Sequence, residues 1–236
     1  MMSESKDREK AVAVVSGGPD SMSYAAVWAR RGYDIYPIIF DYGQKGKKEV
    51  EVAKDLCQKL GFENPLVVDI SSVKRLWEGT QLTDESREVE ERYAPSVVVP
   101  LRNGVFLIYA AIYALKVGAK FIIYGSHEDD ISARRDDGEP LYPDCQPAFS
   151  LALENALNLG HFPVYQRKFE IWSPAREHMK KAELLREGYE AVGDLIYQTW
   201  SCYKSGEKQC GICESCRNRK KAFAEAGIPD KTEYEN

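Results

Sequence analysis

The stretch Val14-Val15-Ser16-Gly17-Gly18-Pro19-Asp20-Ser21-Met22 joins a short apolar run to a helical pattern, and its residue types suit the binding of a phosphate or pyrophosphate. Paired glycines let a bulky anion approach backbone N–H groups where a Cβ would intrude. The start of the following helix adds the positive end of its dipole. A bare glycine pair reads more simply as a turn with Asp20 or Ser21 as the helix cap; with Ser16, Asp20 and Ser21 added, a nucleotide is the better reading. The loop lacks the Gly-Lys-Ser/Thr ending of a Walker A motif and the Gly-x-Gly-x-x-Gly of a dinucleotide fold. A second chemical signature lies near the C-terminus, where Cys202, Cys210, Cys213 and Cys216 are separated by seven, two and two residues. Four thiolates fill a tetrahedral zinc shell and leave no position for water, so one structural Zn²⁺ per chain is expected. A bacterial ferredoxin has a different cysteine spacing, and redox-active dithiol pairs are the weaker alternative.

The elements that must position these groups follow from hydrophobic periodicity. Residues 11–15 read as a buried strand and 21–30 as a helix with Gly32 just past its end. Residues 35–40 form a second strand that ends in Asp41-Tyr42-Gly43-Gln44, and 47–60 a helix stopped by Gly61, with Cys57 as a small core residue. A third strand spans 66–70. The alternation predicts a doubly wound, mostly parallel α/β sheet, which keeps its ligands at the carboxyl ends of its strands. Residues 71–96, with Glu85, Glu88, Glu90 and Glu91, read as a solvated loop or lid containing a short helix. Residues 104–117 are apolar on all sides, predicting a largely buried helix with Arg102 and Asn103 at its N-terminal end. A fourth strand, 121–124, leads to Gly125-Ser126-His127-Glu128-Asp129-Asp130 and a polar loop over 126–144 that carries Arg134, Arg135, Asp136 and Asp137. Beyond it are expected a helix over 146–159 stopped at Gly160, a strand-like stretch over 165–172, and a helix from about Pro174 to Gly188.

A chain of 236 residues is long enough for one large domain with an appendage, here 1–195 for the α/β layer and 196–236 for the cysteine region. No apolar run approaches the roughly 18 residues of a membrane span, and the polar N-terminus is not a signal peptide. A cytoplasmic protein follows, in agreement with six cysteines that call for no disulfide framework. The net charge of −5 gives no global basic field for a nucleic-acid backbone. Arg217, Arg219, Lys220 and Lys221 form a local basic patch, an RNA contact or, more simply, a solvated helix face.

Ser16-Gly17-Gly18-x-Asp20-Ser21 resembles the fingerprint of the PP-loop ATP pyrophosphatases. Asp41-Tyr42-Gly43-Gln44, Val99-Pro100-x-Arg102-Asn103, Tyr142-Pro143-Asp144-Cys145 and the four cysteines follow in order, and together they resemble the QueC family from residue 12 to about 218. Two departures stand out: Leu101 occupies a position where the family usually has glycine, and residues 133–140 lengthen the loop before Tyr142. The resemblance implies an adenine nucleotide alpha-hydrolase-like fold with a small zinc-binding subdomain. It also implies an ATP-dependent carbon–nitrogen ligase that converts 7-carboxy-7-deazaguanine and ammonia to 7-cyano-7-deazaguanine, a queuosine or archaeosine precursor, through an adenylated acid and an amide.

Under that resemblance the loop, from Val14 to Met22, and Asp41 and Gln44 would hold ATP, with Asp20 on Mg²⁺. Asp20, Ser21, Arg102 and Lys181 would be catalytic, and Arg102, Asn103 and Asp144 would contact substrate. A turn residue after Pro143 and a solvated helix face are the simpler readings of Asp144 and Lys181. A homodimer with no stable nucleic-acid or membrane partner is expected. The rivals are a relative that stops at the amide or joins the acid to a protein amine, a tRNA-modifying PP-loop enzyme, and a zinc-dependent RNA-binding module.

Overall fold

The computed structural model describes residues 8–84, 98–133, 135, 138–162, 164–204 and 206–236. Glu85, Glu88, Glu90, Glu91, Arg134, Asp136 and Asp137 fall outside that set. Five strands, β1 (Lys10–Val14), β2 (Asp34–Asp41), β3 (Leu66–Asp69), β4 (Phe121–Ile123) and β5 (Glu170–Trp172), form one sheet in the order β3-β2-β1-β4-β5. All pairs are parallel, with Ala11 opposite Ile35 on one side and Phe121 on the other. β1 is central, so its side chains are buried on both faces, as the unbroken apolar run Ala11-Val12-Ala13 requires.

Alternation along β1 divides the interior into two cores. Ala11 and Ala13 face Tyr24 and Trp28 of α1 (Pro19–Arg30), Leu56 of α2 (Lys48–Lys59) and Leu184. Val12 faces the other way, toward Leu107, Ala110 and Ala114 of α3 (Arg102–Val117). From β1 the chain adds β2 and β3 on one side and then returns to add β4 and β5 on the other, so the strand order reverses between β1 and β4, where an open α/β sheet leaves a crevice at its carboxyl edge.

Several expected boundaries move, each for a packing reason. α3 takes in Arg102 and Asn103 in its first turn, because Leu101 adopts the left-handed conformation at φ +56° and turns the chain into the helix. Glycine adopts that conformation freely, whereas a leucine there carries about 1 kcal/mol of strain. The expectation of a largely buried α3 holds for one face only. Leu107, Ala110, Ala111 and Ala114 are buried, but Ile108 and Ile112 are 42% and 63% exposed.

The polar loop over 126–144 contains a short helix, α4 (Glu128–Ser132), and a 3-10 turn at Pro143–Cys145. α5 (Pro147–His161) runs through Gly160. Residues 165–169 stay outside β5, and the chain after Pro174 makes a turn closed by the Met179 N–H on the Pro174 carbonyl; the helix, α6 (Lys181–Val192), begins later. Gly188 is therefore no helix stop. It lies where α6 crosses α1, and a Cβ there would collide with Ser23. Finally, α7 (Glu214–Ala226) lays Ala222, Phe223 and Ala226 against Leu185 of α6 and Ile196. Arg219 on α7 is 1% exposed, which corrects the reading of residues 217–221 as a uniformly solvated face.

Candidate functional site

At the carboxyl ends of β1, β2 and β4 lies a cleft of about 650 Å³. Its floor is the turn between β1 and α1. Gly17 takes φ +77°, and a Cβ there would come within 2.6 Å of the Glu49 carbonyl in the first turn of α2. Gly18 is the N-cap of α1 and Pro19 opens its first turn, a position where a missing N–H costs nothing. The Ser16 N–H donates to Ser21 Oγ at 3.1 Å, and the two hydroxyls lie 3.2 Å apart. The turn is thus closed on itself beside the N-terminus of a twelve-residue helix. Of the loop, Gly17 and Met22 fall outside the cleft lining: the Gly17 carbonyl accepts the Trp200 N–H at 2.9 Å, and Met22 is buried in the core.

Lys181, from the first turn of α6, reaches this floor and places its Nζ 2.8 Å from Asp20 Oδ2. Burial alone would raise the Asp20 pKa, but the Lys181 ammonium and then His127 outweigh it and hold the carboxyl below its ordinary range. The Lys181 ammonium is disfavoured by burial and raised overall by Asp20. Asp20 Oδ1 is buried and has no hydrogen-bond partner among the described residues. His127, at the end of β4, stands 3.8 Å from Asp20 Oδ2 and 3.4 Å from Asp130 Oδ2. Burial pushes the Asp130 carboxyl up, with His127 opposing. Gly125 permits this crowding, since a Cβ there would meet the Ser21 backbone at 2.7 Å.

Across the cleft stand Arg102, Asn103 and Asp144. The Asn103 N–H, in the first turn of α3, donates to Asp144 Oδ2 at 3.0 Å, and Asn103 Nδ2 donates to Cys145 Sγ at 3.4 Å. Burial disfavours the Arg102 charge, but Tyr42 and Asp144 raise its pKa overall, and its Nη1 donates to the Tyr42 hydroxyl at 3.4 Å. Cys145 is buried, and burial pushes its thiol up to about 12, so it stays protonated and poorly nucleophilic. Gln44 borders the cleft, yet its side chain is committed to the β2 turn: Oε1 accepts the Tyr42 N–H at 2.9 Å and Nε2 donates to the Phe40 carbonyl at 3.3 Å. Asp41 lies outside the lining, and its Oδ1 accepts the Gly43 N–H at 3.0 Å.

Sequence reasoning gave no role to His127, Asp130, Glu49 or Trp200. The polar run after β4 signalled the first two, because it sits at a strand end. Glu49 had no signal: α2 is rich in charge, and nothing local shows that this carboxylate turns inward. It lines the cleft, has no hydrogen-bond partner among the described residues, and burial pushes it up to about 8 with Arg102 opposing.

The four cysteines of the C-terminal pattern converge, with their Sγ atoms all within 4.8 Å of one another and all four residues buried. Backbone N–H groups of Lys204 and Cys210 point at Cys202 Sγ, and that of Cys213 at Cys210 Sγ, each at 3.4 Å. Such N–H···S contacts stabilise thiolate charge, so the donor set and its spacing fit zinc. Gly211, at φ +76°, lets the chain turn between Cys210 and Cys213.

A family profile described as queuosine biosynthesis protein QueC matches residues 10–227. Proteins named 7-cyano-7-deazaguanine synthase are similar over nearly the whole length. That of Thermoplasma acidophilum is 38% identical, covering 97% of this chain and 93% of the relative. For Marinomonas sp. the identity is 38%, over 96% and 99%. For Caldicellulosiruptor bescii it is 39%, over 96% and 97%.

Proposed function

The chain belongs to the QueC family of queuosine biosynthesis proteins, and we propose that it is an ATP-dependent carbon–nitrogen ligase that makes 7-cyano-7-deazaguanine from 7-carboxy-7-deazaguanine and ammonia. One observation carries the ATP reading: Lys181 paired with Asp20 beside a glycine loop at a helix N-terminus, inside the cleft that Arg102 and Asp144 also line. A carboxylate has no good leaving group. Attack of its oxygen on the α-phosphorus of ATP expels pyrophosphate and gives an acyl adenylate; ammonia then adds to the acyl carbon, loses a proton and displaces AMP, leaving the amide. A second ATP activates the amide oxygen in the same way. Loss of AMP and two protons then leaves the nitrile.

In this reading the loop N–H groups and the Ser16 and Ser21 hydroxyls hold the departing pyrophosphate, and the Lys181 ammonium offsets charge growing at the α-phosphoryl oxygens. Asp20 Oδ1, without a partner among the described residues, fits a Mg²⁺ that would travel with ATP and screen its phosphates. Asp144 keeps Oδ1 without a hydrogen bond among the described residues, free to accept from the guanine-like N1–H or amino group, while Asn103 fixes Oδ2. Arg102 stands beside it for the substrate carboxylate or the phosphates. The four-cysteine site is a structural zinc centre, one per chain.

No helix of the described residues is long and apolar enough to cross a membrane, and we propose a cytoplasmic enzyme whose substrates are small molecules. The exposed apolar side chains Ile108 and Ile112 on α3, with Leu159 and Phe162 at the end of α5, support a homodimer. Sedimentation should then show a dimer that Ile112→Glu converts to monomer.

The reaction is tested by incubating the protein with ATP, 7-carboxy-7-deazaguanine and ammonium and weighing the products. Nitrile, AMP and pyrophosphate are expected, with two ATP consumed per nitrile and synthetic 7-amido-7-deazaguanine accepted as substrate. ADP and free phosphate as the nucleotide products would overturn the assignment, and an inert amide would end the reaction one step earlier.

A further inference from the structure

Arg219 is among the largest fully buried side chains of the protein, in a position where arginine is rarely found without a paired anion. Its hydrogen bonds among the described residues go to neutral groups. Nη1 donates to Thr199 Oγ1 at 2.8 Å and to Ser201 Oγ at 3.2 Å, and Nη2 donates to the Ile196 carbonyl at 3.2 Å. Nε and Nη2 both reach Thr232 Oγ1, at 3.1 and 2.9 Å. Asp230 is one step removed, accepting from the Tyr234 hydroxyl at 2.6 Å. A plain apolar side chain would fill this space at lower cost, so the guanidinium calls for a reason.

The reason lies in what its fork holds. Residues 199–201 are gripped by side chain through Arg219 and by backbone through Gln209, which accepts the Ser201 N–H and donates to the Thr199 carbonyl, both at 3.1 Å. Between those two grips the Trp200 N–H donates to the carbonyl of Gly17, the loop glycine at φ +77°. The Trp200 indole is anchored in turn on the Cys202 carbonyl at 2.8 Å, and Lys48 Nζ sits 4.1 Å from its ring centre. A contiguous run of hydrogen bonds therefore joins α7 to the peptide that aims the loop N–H groups.

We propose that Arg219 is a positioning residue of the nucleotide site, holding residues 199–201 so that the Trp200 N–H fixes the Gly17 peptide in the orientation that receives the phosphates of ATP. It rests on the nucleotide reading of the loop given above. The role needs a planar fork that spans Thr199, Ser201 and Ile196 together, which a lysine ammonium cannot do. It touches neither the substrate acid nor the cysteines.

The test measures ATP affinity by equilibrium binding, the KM for ATP and for the acid, and zinc per chain, on the native protein, Arg219→Lys and Thr199→Val. Arg219→Lys is expected to weaken ATP binding about tenfold, and Thr199→Val, which removes one acceptor of the fork, about threefold. The KM for the acid should stay within about twofold of native and the zinc content should not change, a split that general loosening of the fold would not produce. Unchanged ATP affinity in a folded, zinc-holding Arg219→Lys would overturn the proposal. So would parallel loss of zinc, acid and ATP binding, which marks simple collapse. If Arg219→Lys does not fold, Thr199→Val decides, and native ATP affinity there overturns it. Absence of ATP binding by the native protein would sink the nucleotide reading itself.

Discussion

The glycine loop after β1 and the cysteine knuckle solve opposite problems with similar means. Both turn the backbone through a glycine of positive φ, Gly17 and Gly211; the knuckle aims N–H groups at its sulfurs, and the loop lies at the N-terminus of α1, where the helix dipole favours negative charge. In the knuckle the sulfurs are the protein's own, all buried and with N–H donors at Cys202 and Cys210 Sγ, so a metal held there, as proposed, would be enclosed and become part of the fold. The loop leaves polar capacity unused: among the described residues Asp20 Oδ1 has no partner, and Lys181 is held by one carboxylate oxygen in an open cleft. A closed site stores stability, and an open one stores affinity for something that leaves.

The largest effect should come from breaking the closed site. Cys213→Ser removes a thiolate from a segment whose small core consists mostly of the ligands themselves, with Trp200 beside them. Metal loss and a destabilisation of about 3–5 kcal/mol are expected together, read by metal analysis and denaturant unfolding. Zinc retained at one per chain with native stability would erase the distinction between the two regions.

The open site should respond in activity with little change in stability. Lys181→Met removes the cation beside Asp20 and should cost a factor of about 10²–10³ in the rate of adenylation, the scale of one charge-stabilising donor. The carboxyl it leaves behind loses the principal opposition to burial, so the Asp20 pKa should rise. Sign and limb follow together. Activity that depends on ionised Asp20 is lost as pH falls through its pKa, so the acid limb of the variant should lie at higher pH than that of the native enzyme. An unshifted limb would mean that Lys181 is no partner of Asp20 in solution.

The same contrast explains what could be read from the chain alone. The loop and the knuckle are local: each puts its chemistry within a short run of residues, and the order of strands and helices followed from periodicity. Contacts that span the chain left no such trace. Lys181 meets Asp20, and Arg219 meets Thr199 and Thr232, only after α6 and α7 have packed, and a lysine opening a helix looks like any solvated lysine until then. Glycines misled for the same reason. Gly188 and Gly160 resemble helix stops, but Gly188 is a crossing point against Ser23 and Gly160 a tolerated interior residue. α3 read as largely buried because its sequence is apolar all round, whereas among the described residues Ile108 and Ile112 stand exposed, and periodicity cannot say which apolar face meets the sheet.

The smallest effect sharpens the comparison most, because it asks whether the open site costs the protein stability when empty. Glu49 borders the cleft beside Arg102, Tyr42 and Tyr203 without a hydrogen bond among the described residues, and burial raises its pKa from the ordinary 4.5 to about 8. A carboxyl raised in the folded state binds a proton that the unfolded chain has already released. Its contribution is therefore fully present below the unfolded pKa and is lost as pH rises through the window from 4.5 to about 8. The shift taken whole would be worth several kcal/mol, but Glu49 is only half-buried and faces cleft water, so about 1–2 kcal/mol is expected. Glu49→Gln has no proton to lose. Unfolding of the ligand-free protein at about pH 4 should find the two alike, and at about pH 9 the variant should be more stable by that amount. Parallel stability curves for native and Glu49→Gln would show that the cleft bears no such cost, and the division between a stabilising closed site and a strained open one would have to rest on Asp20 alone.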